Sequence, residues 1–109
     1  MEPYRLIIDG KKVPTKQCFE VLNPATEQVA GLAPLGTAND LKEAIHAAKI
    51  AYKSWRNETH RKRQTACRKI AEKLEQHAEE IALLLTAEQG KPLNGMGSRW
   101  EVGGAIAWT

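Results

Sequence analysis

Between Thr59 and Pro92 the apolar residues recur at steps of three and four. Cys67, Ile70, Ala71, Leu74, Ala78, Ile81, Ala82 and Leu85 fall on one face of a 3.6-residue helix. Lys69, Lys73, Glu75, Gln76, Glu79 and Glu80 take the other side. The spacing predicts one long amphipathic helix. Thr59 can accept an orphan N–H of its first turn, Gly90 can end it in a left-handed conformation, and Pro92 cannot continue it. Upstream, Leu41, Ala44, Ile45, Ala48, Tyr52 and Trp55 repeat at the same spacing. They predict a second amphipathic helix, opened by Thr37-Ala38-Asn39-Asp40 as a capping box with aspartate at its fourth position. Only Asn57-Glu58 separates the two helices, which predicts an antiparallel helix hairpin.

Ahead of the helices the pattern shortens to strands. Leu6-Ile7-Ile8 and Lys11-Lys12-Val13 flank Asp9-Gly10, the strongest two-residue hairpin signal. Phe19-Glu20-Val21-Leu22 and Gln28-Val29-Ala30-Gly31-Leu32-Ala33 flank the turn Asn23-Pro24-Ala25-Thr26, and Pro34 places the return strand at an edge or an end. Two hairpins alone are marginal in water, so this layer must pack on helices. Beyond Pro92, Gly95, Gly97, Gly103 and Gly104 weaken the helical pattern by roughly 1 kcal/mol each in a helix interior. A helix is expected only from about Arg99. The prediction is therefore an α+β arrangement: two β-hairpins over 4–34, an antiparallel pair of long helices at about 38–56 and 60–89, and a weaker third helix at 99–109.

Composition narrows the class. At 109 residues, 42% hydrophobic and 27% charged, the chain reads as one small globular domain. No apolar run approaches the roughly 20 residues that span a bilayer. Met1-Glu2-Pro3-Tyr4-Arg5 does not read as a signal peptide. Cys18 and Cys67 read as reduced thiols of a cytoplasmic protein. The net charge of +3 is too mild to imply nucleic acid. The positive charge does cluster at His60-Arg61-Lys62-Arg63, with Arg68 and Lys69 following. A solvated helix end or a protein contact explains the cluster. The rival is a basic helical module that uses Arg56, Arg61, Arg63 and Arg68 on nucleic acid.

Candidate chemistry is sparse. Gly95-Met96-Gly97 lacks a third glycine, since Trp100 holds that position, and no strand precedes it, so a dinucleotide fingerprint fails. His46, His60 and His77 lack partners at zinc-like spacing. Cys67, on the apolar face of the long helix, is expected to be a buried thiol. Cys18 stands near a strand start without a histidine close in sequence. Trp55, Trp100 and Trp108 read as core or interface anchors. By themselves these residues describe a small α+β piece without an active site.

The order of motifs changes that picture. Leu6-Ile7-Ile8-Asp9-Gly10-Lys11-Lys12-Val13, Val21-Leu22-Asn23-Pro24-Ala25-Thr26, Arg63 with Ile70-Ala71, and Glu88-Gln89-Gly90-Lys91-Pro92 together resemble the N-terminus of the aldehyde dehydrogenase superfamily. The resemblance covers nearly the whole chain. It implies an α+β piece of an α/β dehydrogenase, in which these elements are the outer hairpins and first helices of a dinucleotide-binding domain. Such enzymes use NAD or NADP to oxidise an aldehyde to a carboxylic acid, through a cysteine nucleophile and a glutamate that activates water. In the family those groups, with the oxyanion-hole asparagine and the cofactor loop, lie beyond the position of Thr109. The resemblance thus assigns no catalytic or cofactor-binding residue here, and Cys18 and Cys67 do not match the catalytic position. It offers one lesser site, a monovalent cation held by the carbonyls of Val21 and Leu22 and the carboxylate of Glu88. An exposed acid near a helix end is the plainer explanation of Glu88. Where the family often has glycine after Asn-Pro-Ala-Thr, this chain has Glu27, at about 1–2 kcal/mol if the left-handed conformation is kept.

The resemblance also implies partners and an origin. The chain is expected to be an excised fragment or a truncated gene product, and the remainder of a dehydrogenase is its expected partner. Leu83, Leu84, Met96, Trp100, Ile106 and Trp108 add apolar surface beyond one helix face. A few hundred Å² left bare would drive association by several kcal/mol, at roughly 25 cal/mol per Å². Self-association, or disorder or rearrangement from Leu93 onward, is therefore expected. The isolated chain is expected neither to bind NAD or NADP nor to reduce either with an aldehyde. Aldehyde-dependent absorbance of reduced nicotinamide is the check, and its appearance would overturn this expectation.

Overall fold

The computed structural model describes residues 1–109. The chain divides into two compact units, Met1–Leu22 with Val29–Glu58, and Asn23–Gln28 with Thr59–Thr109.

The first unit holds two hairpins and one helix. Strands β1 (Leu6–Ile8) and β2 (Lys11–Val13) pair antiparallel, with Ile8 opposite Lys11. Asp9 and Gly10 close this hairpin with φ of 53° and 70°. Two successive positive φ values are what a twist-matched two-residue turn requires. Strands β3 (Cys18–Leu22) and β4 (Val29–Pro34) form the second pair. Glu20 lies opposite Leu32 and Val21 opposite Gly31, and a register shift between Val21 and Leu22 brings Leu22 opposite Val29. Tyr4 ties the N-terminal segment to β4, donating its N–H to the Leu32 carbonyl at 3.0 Å. Its ring covers Gly31, where an added Cβ would lie 3.5 Å from Cε2. Gly31 is buried in this unit.

Helix α1 (Ala38–Trp55) starts on the predicted box. Asp40 N–H donates to Thr37 Oγ1 at 3.2 Å, and Thr37 N–H donates back to Asp40 Oδ2 at 2.7 Å. The Thr37 hydroxyl also donates to Asp40 Oδ2 at 2.7 Å, and it, with the Thr37 N–H, holds the Asp40 carboxyl below its ordinary pKa. Helix α1 packs against β1, yet none of its residues is buried. Leu41 stays 61% exposed and Tyr52 58%.

The second unit is where the sequence expectation fails most. The helix expected over 60–89 is two helices, α2 (His60–Gln76) and α3 (Ala78–Gln89). No glycine or proline breaks it. His77, at φ −111° and ψ 12°, donates its N–H to Leu74 O only three residues back, at 3.2 Å. That tightened turn ends the first ladder. The His77 carbonyl then accepts from Ile81 N at 3.0 Å and starts the second. The expected apolar face holds at Ala71, Leu74, Ala78, Ile81 and Leu85, all half-buried, and at Ala82, which is buried. Cys67 is exposed, not a buried thiol, and Ile70 is 55% exposed. Ala66, outside the expected set, is half-buried.

Helix α4 (Ser98–Trp108) stands where the weaker helix was expected, at 99–109. The segment from Leu93 onward is neither disordered nor rearranged. It forms a turn and then a helix that packs on both α2 and α3. Its Ser98 and Val102, at 0% and 5% exposure, are with Ala82 of α3 the buried side chains of this unit. Helix α1 belongs to the first unit and α2 to the second. The helix packing found inside one unit is that of α4.

Charges fasten α4 at its start. Arg99 Nε and Nη2 donate to the two carboxylate oxygens of Glu79, at 2.9 and 2.5 Å, and Nη1 donates to Asn94 Oδ1. Lys91 pairs with Glu101. The hydrogen bonds from Arg99 lower the Glu79 pKa, and Glu79 in turn raises that of Arg99. A depressed carboxylate pKa adds stability above the unfolded-state pKa and loses it as pH falls through the folded one. Denaturation midpoints should therefore fall on acidification through and below the ordinary carboxylate range. Glu79→Gln should remove part of that dependence, and an identical pH profile in the variant would show the bridge to be inert.

Candidate functional site

The second and fourth family-like motifs meet inside the second unit. The turn Asn23–Gln28 is a closed loop. Ala25 N–H donates to Asn23 Oδ1 at 2.9 Å, Glu27 N–H to Asn23 O at 2.8 Å, and Asn23 N–H to Gln28 O at 2.8 Å. An asparagine side chain that imitates a backbone turn explains why this residue type starts it. Glu27 has φ 58°, so the left-handed position is kept without glycine. This loop sets Pro24 against the C-terminus of α3. Gly90 there has φ 72°, and its N–H donates to Thr86 O at 2.8 Å. A Cβ built on Gly90 would lie 2.6 Å from Pro24 Cγ. Glycine is thus required twice, by conformation and by the closeness of the proline ring.

After Gly90 the chain makes a second tight corner. A Cβ on Gly97 would sit 1.8 Å from the Pro92 carbonyl oxygen. Ser98 N–H donates to Pro92 O at 2.9 Å and Arg99 N–H to Leu93 O at 3.2 Å. The Ser98 hydroxyl, fully buried, lies 2.8 Å from Thr86 Oγ1 on α3. Every buried side-chain polar atom has a hydrogen-bond partner.

These contacts decide what the Gly95-Met96-Gly97 stretch can do. A phosphate cradle needs open backbone N–H groups at a helix start and a glycine that leaves room for the ligand. Here the first two N–H groups of α4 are spent on Pro92 and Leu93, and Gly97 makes room for a carbonyl of its own chain. The residues present do not fit a dinucleotide.

The remaining candidates belong to both units. Val21 is half-buried and Leu22 exposed at the bulged end of β3, in the first unit, while Glu88 is exposed in the last turn of α3, in the second. Cys18 is exposed at the start of β3. His46 and His60 are exposed, and His77 pairs with Glu80 at 3.1 Å. Arg56 lies over the Tyr52 ring at 5.5 Å, in the first unit, and Arg61, Arg63 and Arg68 lie on α2. Sequence reasoning missed the contact of Pro24 with Gly90, although both motifs were recognised. It also missed the Glu79–Arg99 bridge across 20 positions, for which local spacing carries no signal.

Comparison with known proteins bears on all of this. The aldehyde dehydrogenase family model matches residues 11–108. A probable aldehyde dehydrogenase of a Pseudomonas species is 41% identical over 105 residues, 96% of this chain and 21% of that protein. An acylating mitochondrial methylmalonate-semialdehyde/malonate-semialdehyde dehydrogenase of Rattus norvegicus is 35% identical over 82% of this chain and 17% of its own length. Among solved structures, a betaine aldehyde dehydrogenase of Staphylococcus aureus in complex with NAD+ superimposes with a TM-score of 0.85 at 33% identity, covering 94% of this chain and 21% of that one. The chain thus spans about a fifth of the length of the relatives it matches. It corresponds to an N-terminal segment of that superfamily.

The corner predicts its own sensitivity. Gly90→Val should destabilise the chain by about 2–4 kcal/mol, combining left-handed strain with overpacking against Pro24. Chemical denaturation measures this, and an unchanged midpoint would mean that the corner relaxes at no cost.

Proposed function

The chain belongs to the aldehyde dehydrogenase family, and we propose that it serves as the N-terminal section of an NAD- or NADP-dependent enzyme that oxidises an aldehyde to a carboxylic acid. The observation that carries this proposal is the likeness of its backbone, over nearly its whole length, to a betaine aldehyde dehydrogenase in complex with NAD+. The nucleophile, the general base and the cofactor cradle belong to the remainder of such a polypeptide. This section supplies scaffold. Its hairpins, the Pro24–Gly90 corner and α4 present surfaces for the larger domain to pack on. Bare apolar residues support that role: Leu41, Ile50 and Trp55 on α1 are 61%, 55% and 44% exposed, and Trp100 and Trp108 on α4 are 59% and 92%. Surface of that kind marks a binding face. The basic-module alternative gains nothing from the family match.

A chimera tests the proposal. The segment of the Staphylococcus aureus enzyme that this chain matches is replaced by the chain itself, and NAD+ reduction with betaine aldehyde is followed by absorbance. The chimera should fold and keep at least about a tenth of the parent rate, a loss of no more than about 1.4 kcal/mol in barrier. A soluble, folded chimera that does not reduce NAD+ would overturn the proposal.

A further inference from the structure

Helix α4 packs on both α2 and α3, and Ala82 and Val102 are buried in that unit. The same two helices also carry an open, shallow apolar surface. Ile70 and Leu74 of α2 and Ile81 and Leu84 of α3 line it together, on both sides of the tightened turn at His77. Ile70 is 55% exposed and Leu84 41%, while Leu74 and Ile81 are half-buried. Lys69, Lys73, His77 and Glu80 border these four. The polar groups are engaged along the rim, Lys73 with Gln76 Oε1 at 2.8 Å and His77 with Glu80 at 3.1 Å. An apolar centre inside a polar rim is the anatomy of a protein interface.

We propose that the remainder of the dehydrogenase polypeptide packs here, with an apolar element over Ile70, Leu74, Ile81 and Leu84. This occupant rests on the chain being the N-terminal section of such an enzyme. The chain spans 21% of the Pseudomonas relative and 21% of the Staphylococcus aureus enzyme, so most of such a polypeptide lies outside it. Size points the same way. Eight residues line the surface, whereas a free protein partner or a second copy needs about 20–30 a side. A covalently joined element can dock on less. Its tether supplies a high effective concentration in place of the entropy that free association costs.

The test reads one substitution in two settings. Ile70→Glu and Leu84→Glu are made singly in the free chain and in the Staphylococcus aureus chimera. Glutamate keeps helix propensity, and both side chains are bare in the free chain, so its denaturation midpoint should hold. In the chimera each glutamate would be buried against apolar surface. The half-life of NAD+ reduction at a fixed temperature should fall at least tenfold, and loss of soluble chimera counts as the same result. An active chimera that keeps its half-life with both substitutions would overturn this packing and leave the enzyme assignment standing. A free chain that unfolds with either substitution would also overturn it, because the surface would then be covered within the chain or by a second copy. A soluble unsubstituted chimera without NAD+ reduction would overturn the enzyme assignment, and this occupant with it.

Discussion

The second unit depends on how closely α4 approaches α3. The side chains fully lost from solvent there are small, Ala82 and Ser98, with Val102 nearly so. Small residues at a crossing let two helix backbones come near, so dispersion between main chains replaces the burial of large side chains. Closeness demands satisfied polar atoms, and the Thr86–Ser98 hydroxyl pair provides for them at 2.8 Å. It also demands a sharp entry. Gly97 passes so near Pro92 O that no side chain fits. Replacing a small residue at this crossing would move a helix, not only a rotamer.

The first unit works on another economy. Its strands are short, its helix is without buried residues, and its ordering comes from backbone pairing, a two-residue turn with both φ positive, and the reciprocal bonds of the Thr37–Asp40 box. Such devices fix local geometry well and bury little apolar area. That leaves Ile7, Phe19, Leu41 and Tyr52 more than half exposed. A face of this kind suits a segment matched to about a fifth of much longer relatives.

The family-like motifs acquire a physical meaning at the corner of the second unit. Asn23-Pro24-Ala25-Thr26 and Glu88-Gln89-Gly90-Lys91-Pro92 are more than sixty positions apart in the sequence, yet Pro24 seats on Gly90. The two motifs are one structural joint. Glu27 occupies the left-handed position at φ 58° in a loop closed by Asn23 at both ends, so the backbone bonds hold the conformation that glycine would otherwise ease.

What the sequence by itself determined is what local chemistry decides. The Asp9-Gly10 turn, the capping box at Thr37, the cap at Thr59 and the left-handed stop at Gly90 each rest on residues within a few positions of one another. The structure has all four. The family was also legible, because it is carried by the order of short motifs. Tertiary structure alone decided the rest. His77 has no helix-breaking chemistry, so no local signal marks the split of the long helix, whose two halves both pack on α4. Periodicity alone also put Cys67 on the covered face, and the packing of α2 leaves it exposed. Glycines that weaken a helix in isolation gave the entry to α4, whose packing on two neighbours outweighs intrinsic propensity. Contacts such as Pro24 with Gly90 and Arg99 with Glu79 join residues far apart in the chain, and no local periodicity encodes them.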